Sequence, residues 1–499
     1  MTTHVELRRG AYHDSVSLMQ VSRAVAMTPG VAAAQVAMAT ELNVDVLRGM
    51  GFDVPVEAGP NDLVVAIRAD DDDGLDAGLA AVGDALAALR GTGDRGGGGG
   101  DEVPPRTLGS AAARSGATLA VISVPGQHAV TETFDAIASG LSVMLFSDNV
   151  SVEDEVRLKD AAAEADVLVM GPDCGTAHIG GVALGFANVV RPGSVGLVAA
   201  SGTGAQQVMC LLDAAGVGLS HCLGVGGRDL KAAVGGRSTR QALRALADDP
   251  ATETVLVVSK PPDDAVLGEV EAYAAELGLR VHWAVLGPGR ADLTEAVENF
   301  LAAQGHPVPT WPVTLAAPED PSLSAGPALR GLFCGGTLAD EAMTVAQATL
   351  GVIRSNIAHS PDLALGPDLT DLGHVVIDFG DDGLTRGRAH PMIDPTLRTE
   401  RIAREAADPT CGVLLLDLVL GHGAHADPAG ELADAVHAGR ELAHADGRAL
   451  PVVVSLTGTE ADPQGRARCA ELLADAGASV FLSNAAATRH AVDLLGGRR

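Results

Sequence analysis

Apolar and polar positions along the chain follow two rhythms. Up to residue 90, runs of strand length at 4–8, 31–38 and 63–69 are separated by stretches at 14–27 and 75–89 whose apolar residues recur every three or four positions. This pattern predicts a small α+β domain of ferredoxin-like type. From residue 108, short Val-, Leu- and Ala-rich runs at 118–124, 142–147, 167–170, 195–200, 254–259 and 280–286 alternate with helical spacing. The rhythm returns at 330–333, 374–379, 413–419, 451–456 and 479–483. Strands that alternate with helices imply right-handed βαβ units and parallel sheets, with ligands at the carboxyl ends of the strands.

Breaks in the pattern divide the chain. A stretch at 91–107 containing five successive glycines buries nothing and reads as a flexible linker, and a proline-rich stretch from 306 to 327 reads as a stiffer one. At 499 residues the chain is too long for one core. The segments are then 1–90, a linker at 91–107, 108–191, 192–312, a linker at 313–328, and 329–499.

Composition narrows the function classes. With 47% hydrophobic but 2% aromatic residues, Val, Leu and Ala must fill the interiors, as in parallel sheets covered by helices. A formal net charge of −30 repels nucleic acid and anionic lipid, so neither is an expected partner; the acidity fits a salty habitat or simple solubility equally well. The first residues lack an apolar h-region, and apolar stretches are broken by Gly, Pro, Ser and Gln, so neither a signal peptide nor a membrane span is expected. The six cysteines form no CxxC pair, which argues against a metal site or disulfide framework and for a cytoplasmic protein.

Candidate chemistry sits where strands end in small-residue turns. Ser201, Gly202, Thr203 and Gly204 follow an apolar strand and precede a helical run; capped N–H groups and the positive end of the helix dipole make an anion site there, although a capped turn without a ligand has the same sequence. No Gly-Lys-Ser/Thr follows, so it is not a Walker A loop. A second turn holds Gly421, His422, Gly423, Ala424 and His425 before Pro428, a proline suited to a first helical turn. Its histidines are candidates for phosphate binding or proton transfer, or for capping. At the third, Cys334, Gly335, Gly336 and Thr337, the cysteine is either an activated thiol or a small packed residue. His390 lies in a loop with Arg386, Arg388, Arg398 and Arg401, a concentration of arginine that suits a carboxylate or phosphate, or ion pairing with Asp381 and Asp382. Val124, Pro125 and Gly126, then Pro172, Asp173 and Cys174, and the turn containing Lys260 follow other strands and are placed to line a nucleotide-like crevice.

Taken in order, these motifs resemble the α-subunit of succinyl-CoA synthetase over residues 108–312 and the FdrA family over nearly the whole chain. The ligase pattern runs from Gly171-Pro172-Asp173-Cys174 through Ser201-Gly202-Thr203 to Gly224-Val225-Gly226-Gly227. Residues 141–151, 258–262, 334–339 and 390–394 resemble FdrA specifically. The resemblance implies a Rossmann-like CoA-binding-type domain at 108–191 and flavodoxin-like ligase domains at 192–312 and 329–499. It also implies two helices whose N-termini face one another across the phosphate, matched here to those opening at 201–204 and at 421–426. The stretch corresponding to the ligase phosphohistidine loop, residues 286–293, has no histidine, and no ATP-grasp segment is recognisable.

FdrA-like proteins resemble a subunit of oxamate carbamoyltransferase in purine and allantoin breakdown. The resemblance therefore implies a transferase subunit that passes a carbamoyl group between oxalurate and phosphate, giving oxamate and carbamoyl phosphate, in a hetero-oligomer with companion subunits and with self-association. Phosphate would be held by residues 201–204 with Gly421, Gly423 and Ala424. His422, His425 and His390 would be catalytic. Arg388, Arg398, Lys260, Gly335, Gly336 and Thr337 would bind substrate. Carbamoyl transfer requires no cofactor; CoA would bind at Val124–Gly126 and Pro172–Cys174 if retained. Two alternatives stand beside it: an ADP- or GDP-forming acyl-CoA synthetase working through an acyl phosphate, and a non-catalytic metabolite-binding scaffold.

Overall fold

The computed structural model describes residues 1–11, 13, 15–93, 105–385 and 389–496. It divides into two units, residues 1–106 with 385–389, and residues 107–384 with 390–499.

In the first unit, β1 (Thr2–Arg8), β2 (Val31–Met38) and β3 (Leu63–Ala69) form an antiparallel sheet in the order β1-β3-β2. The central strand is apolar on both faces because both are covered. Val65 and Ile67 pack with Leu18, Val21, Val25, Val82 and Leu86 from helices Ser15–Ala26 and Asp72–Gly93. Val64 and Ala66 pack with Leu47, Phe52 and Val54 on the other face. The expected strands and two of the helices are present; helix Glu41–Gly49, capped by Thr40, was not signalled by periodicity because it is barely two turns long.

The described residues of the second unit form three sheets. The smallest is parallel, in the order β4 (Leu119–Ile122), β5 (Ser142–Leu145), β6 (Val169–Met170). In the next, β9 (Pro192–Ala200), β10 (Leu219–Gly224), β11 (Thr254–Ser259) and β12 (Val281–Val285) run parallel. The hairpin of β7 (Thr176–Ile179) and β8 (Val182–Gly185) completes that sheet antiparallel at the β10 edge, in the order β12-β11-β9-β10-β7-β8. Gly180 and Gly181, both at positive φ, close the hairpin as a two-residue turn requires.

The third sheet has the order β13 (Val313–Thr314), β19 (Ala478–Phe481), β18 (Val452–Thr457), β17 (Cys411–Val419), β14 (Ala328–Phe333), β16 (His374–Asp378), β15 (Ile353–Ser355). It is parallel except for β13. The α/β class with parallel sheets and a small leading α+β domain is therefore as the pattern predicts.

The two larger sheets are locked together by helices. Helix Gly202–Ala214, which follows β9, packs on helix Gly336–Leu350, which follows β14; helices Leu293–Ala303 and Asn484–Gly496 pack beside them. Between these layers the Gln207 side chain donates to Leu482 O (2.9 Å) and accepts from Thr457 Oγ1 (2.9 Å). Buried Glu341 accepts from the N–H of Leu293 and from Asn484 Nδ2, 2.7 Å each. Such satisfied polar contacts inside an apolar interface set its register, because a slip would strand each of them.

Candidate functional site

At the end of β9 the chain turns through Ser201, whose extended backbone and side chain cap helix Gly202–Ala214: Ser201 Oγ accepts from Gly204 N–H at 2.9 Å. At the end of β14 the chain turns through Cys334 and Gly335 into helix Gly336–Leu350, which has no side-chain cap of its own. Asp417, wholly buried on the neighbouring strand β17, braces the turn that leads into that helix. The N–H groups of Cys334 and Gly335 each donate to its carboxylate at 2.8 Å, and Arg398 donates at 2.8 Å to the same group. A buried carboxylate so satisfied holds the turn in one geometry.

These two helix N-termini meet. Ser201 Oγ and Thr337 Oγ1 are 2.6 Å apart. A methyl group on Gly335 would fall 2.9 Å from Thr203 Oγ1, and one on Gly204 would fall 3.0 Å from Thr337 Cγ2, so glycine is needed at both positions for the approach. Two sets of free N–H groups and two positive dipole ends are thereby brought close. The partner of the 201–204 turn is thus the turn at 335–337, not the one at 421–426.

Basic and acidic groups converge on the Gly336 side. A methyl on Gly336 would lie 3.0 Å from Lys260 Nζ and 2.5 Å from Asp378 Oδ2. Among the described residues, Lys260 Nζ has no hydrogen bond or ion pair. Asp378 accepts from Gly380 N–H at 2.9 Å; burial pushes its carboxyl up to about 7, against the pull of Lys260 and of that N–H group. Asp173, in the turn after β6, is exposed at its tip but has protein packed densely around it. Loss of surrounding water, then the charges of Asp382 and Asp148, pushes its carboxyl up to about 7 as well. Carboxyls poised near neutrality beside a free lysine can exchange protons at physiological pH.

His390 borders this region. A methyl on Gly380 would fall 2.7 Å from His390 Nε2, and the imidazole stacks at 5.6 Å on Phe186, which in turn packs on Phe146. Its Nδ1 accepts from Met392 N–H at 3.2 Å, which leaves Nε2 to carry the proton. Burial, followed by the charge of Arg398, pushes His390 down to about 4. It is a neutral hydrogen-bond donor at pH 7 rather than a base.

The second glycine turn is arranged differently. The helix after it begins only at Pro428, and residues 421–427 form a loop paired with the end of the β7–β8 hairpin: His422 N–H donates to Ala187 O at 2.8 Å. Gly421 N–H is taken by Gln464 Oε1 at 3.0 Å, and a methyl on Gly423 would meet Gly185 O at 3.0 Å. Ala424 is half-buried in this loop, and the His422 side chain is exposed. His425 Nδ1 accepts from Asp427 N–H at 3.2 Å, and its Nε2 lies 3.6 Å from Glu431, so the ring braces its own loop. His425 N–H donates to Met392 O (2.8 Å) and ties the loop to that of His390.

Arg398 is buried, and its Nη1 donates both to the Asp417 carboxylate and, at 2.7 Å, to the Asp417 carbonyl, while its buried Nε has no partner. Arg386 and Arg388 lie outside the described residues. Cys334 is buried, and burial pushes its thiol well up, which makes it a packed residue and no nucleophile. Cys174 is buried likewise. Pro125 precedes helix Gly126–Ala138 without a side-chain cap, and Val124 O accepts from Ser147 Oγ at 2.6 Å. A methyl on Gly126 would fall 2.4 Å from Asp148 O, so that helix start is pressed against the loop after β5. Pro172 is buried against Gly226.

Periodicity gave no role to Asp417 or Asp378. Both are visible in retrospect as single carboxylates inside otherwise apolar strands, Leu414-Leu415-Leu416-Asp417 and Val375-Val376-Ile377-Asp378, where a charge persists only if paired or tuned.

A family model described as CoA-ligase matches residues 332–494, and one described as AllF, heavy metal-associated domain, matches residues 1–104. The segment 1–104 contains no cysteine, and among the described residues no group of three His, Cys, Asp or Glu is placed to hold an ion. The chain is 37% identical to the uncharacterized protein YahF of Escherichia coli (strain K12), over 96% of this chain and 95% of that protein. It is 29% identical to the succinate–CoA ligase [ADP-forming] subunit alpha 2 of Archaeoglobus fulgidus over 32% of this chain, a stretch that spans about half (54%) of that subunit. Among solved structures, the dinucleotide-forming acetyl-coenzyme A synthetase 1 of Ca. Korarchaeum cryptofilum is 16% identical, with 82% of this chain and 90% of that chain covered and a TM-score of 0.31. Among the described residues, no helix is long and apolar enough to cross a membrane.

Proposed function

Because the chain belongs to the family of YahF, an FdrA-like family built on the succinyl-CoA synthetase plan, we propose that it is the acyl-phosphate subunit of an oxamate carbamoyltransferase-type enzyme. The observation that carries this reading is the meeting of two helix N-termini at Ser201 and Thr337, with Lys260 unpaired beside Gly336. That arrangement suits a phosphate, which takes N–H donors and a cation at once. The absence of a histidine in residues 286–293 favours direct transfer to phosphate over a phosphohistidine relay.

In the proposed step an oxygen of HPO₄²⁻ attacks the carbamoyl carbon of oxalurate. The bond from that carbon to the oxamyl nitrogen breaks, giving carbamoyl phosphate and oxamate, and the proton of the attacking phosphate replaces the lost bond on nitrogen. The reaction is balanced without a cofactor. N–H groups of both turns hold the phosphate and stabilise the oxyanion that forms at the carbonyl. His390 Nε2–H is a neutral donor suited to a substrate carbonyl. Companion subunits would complete the assembly.

The test is carbamoyl phosphate formation from oxalurate and phosphate, by the chain alone and with the proteins of its genomic neighbourhood. Phosphate-dependent product that disappears in Ser201→Ala supports the reading; no product in either preparation sinks it. A second reading, an acid–CoA ligase, is favoured by the CoA-ligase match of residues 332–494 and would show itself as CoA-dependent turnover.

A further inference from the structure

A histidine that no sequence motif marks stands on the same side of helix Gly336–Leu350 as Lys260. His359, in the loop after β15, places Nε2 2.6 Å from Asp340 Oδ1. Asp340 is four residues beyond Gly336, one turn along the same helical face. Its carboxyl is almost fully buried (2% exposed), and its second oxygen has no hydrogen-bond partner, whereas the His359 side chain is 59% exposed. The loop is anchored to the site itself. Asn356 accepts from Asp378 N–H at 2.9 Å and donates to Asp378 O at 2.8 Å, and Asp378 faces Lys260 across Gly336.

The charges around His359 are unusual for an ion pair that only stabilises the fold. The chain has three lysines, and two of them, Lys231 and Lys260, act on His359; Lys231 is held nearby through Pro261 O. The Asp340 hydrogen bond raises the imidazole pKa, against burial and the two ammonium groups. In a chain of net charge −30 with three lysines, two of them lie within electrostatic reach of His359, and one of these, Lys260, borders Gly336. An unpaired lysine and a carboxylate-held histidine beside a helix N-terminus form a site for an anion that also exchanges a proton.

We propose that His359, oriented by Asp340, is the proton-transfer group of the anion site and protonates the nitrogen that leaves the carbamoyl carbon. This rests on the carbamoyl-transfer reading above. The imidazolium gives its proton to the oxamyl nitrogen as the C–N bond breaks, and the neutral imidazole recovers one from the phosphate oxygen that has bonded to carbon. No proton is gained or lost over the cycle.

Two measurements test it separately from the substrate assignment. In turnover, His359→Gln should lower kcat by about 100-fold or more with the KM for phosphate changed less than about threefold. Asp340→Asn should lower kcat about tenfold and move the high-pH fall in kcat to lower pH, because the acid form is held less firmly; a merely structural pair would leave that profile in place. In binding, adding inorganic phosphate to the full chain labelled at histidine Cε1 should shift the His359 resonance and raise its pKa, and Asp340→Asn should lower that pKa. A His359→Gln enzyme within threefold of wild type, or a His359 resonance that ignores phosphate, overturns the proposal. If oxalurate is not turned over at all but phosphate still moves His359, the substrate assignment fails and the anion site stands.

Discussion

Ser201 Oγ and Thr337 Oγ1 lie 2.6 Å apart, joining two helix N-termini that belong to different sheets and are separated by 136 residues of chain. Ser201 also caps its own helix through Gly204 N–H. Ser201→Ala should therefore cost about 0.5–2 kcal/mol from the lost cap. Thr337→Ala should be non-additive with it by about 0.5 kcal/mol or more, because removing either hydroxyl takes away the other's partner across the helix interface. Urea unfolding of the two single variants and the double variant measures this; strict additivity would mean that the contact carries no energy.

Asp417 ties Cys334, Gly335 and Arg398 to one buried carboxylate. Asp417→Asn keeps the shape but leaves Arg398 charged and unpaired, at an expected loss of about 3–5 kcal/mol. Arg398→Met in the same background should recover part of it. A denaturation midpoint unchanged by Asp417→Asn would contradict the clamp.

Glu341 is wholly buried between helices Gly336–Leu350, Leu293–Ala303 and Asn484–Gly496, and burial, then the Asp292 charge, pushes it up from 4.5 to about 7. The folded state thus holds a proton that the unfolded state releases near pH 4.5. Glu341 contributes most to stability below that pH, and its contribution falls as pH rises toward 7 and is flat above. Glu341→Gln abolishes this slope. The stability difference, wild type minus variant, should decrease by about 2–3 kcal/mol between pH 5 and pH 8. A difference that stays constant or grows over that range would show Glu341 to be ionised in the fold.

Lys260→Met removes the unpaired ammonium beside Gly336 without removing any hydrogen bond seen here. Thermal stability should change little. The KM for phosphate should rise about tenfold or more, the equivalent of about 1.4 kcal/mol of lost anion binding. Unchanged phosphate dependence would place the anion elsewhere.

Strands Thr254–Ser259, His374–Asp378 and Cys411–Val419 and their following turns were legible because each is local: an apolar run, a small-residue turn, a cap. The β7–β8 hairpin was missed although Gly180-Gly181 signals it, since its strands are only four residues each. Strand β10 was missed because Ser220 and His221 interrupt its apolar run. His359 was illegible, because nothing in its neighbours Ala358 and Ser360 announces an aspartate nineteen residues earlier.

The chain by itself therefore determined the longer elements, the parallel class of the larger sheets and the glycine turns that end their strands, all consequences of short-range periodicity and backbone freedom. Tertiary structure alone decided which turns meet. Three glycine turns have similar sequences, but Gly335 is free to approach Thr203, whereas Gly421 is pressed on Ala187 with its N–H bound to Gln464. Arg398 likewise reads as a loop residue beside His390 in sequence, and in space its Nη1 is tied to buried Asp417. Pairings of this kind are set by how two helix layers interlock over long separations in the chain, and no local pattern encodes that register.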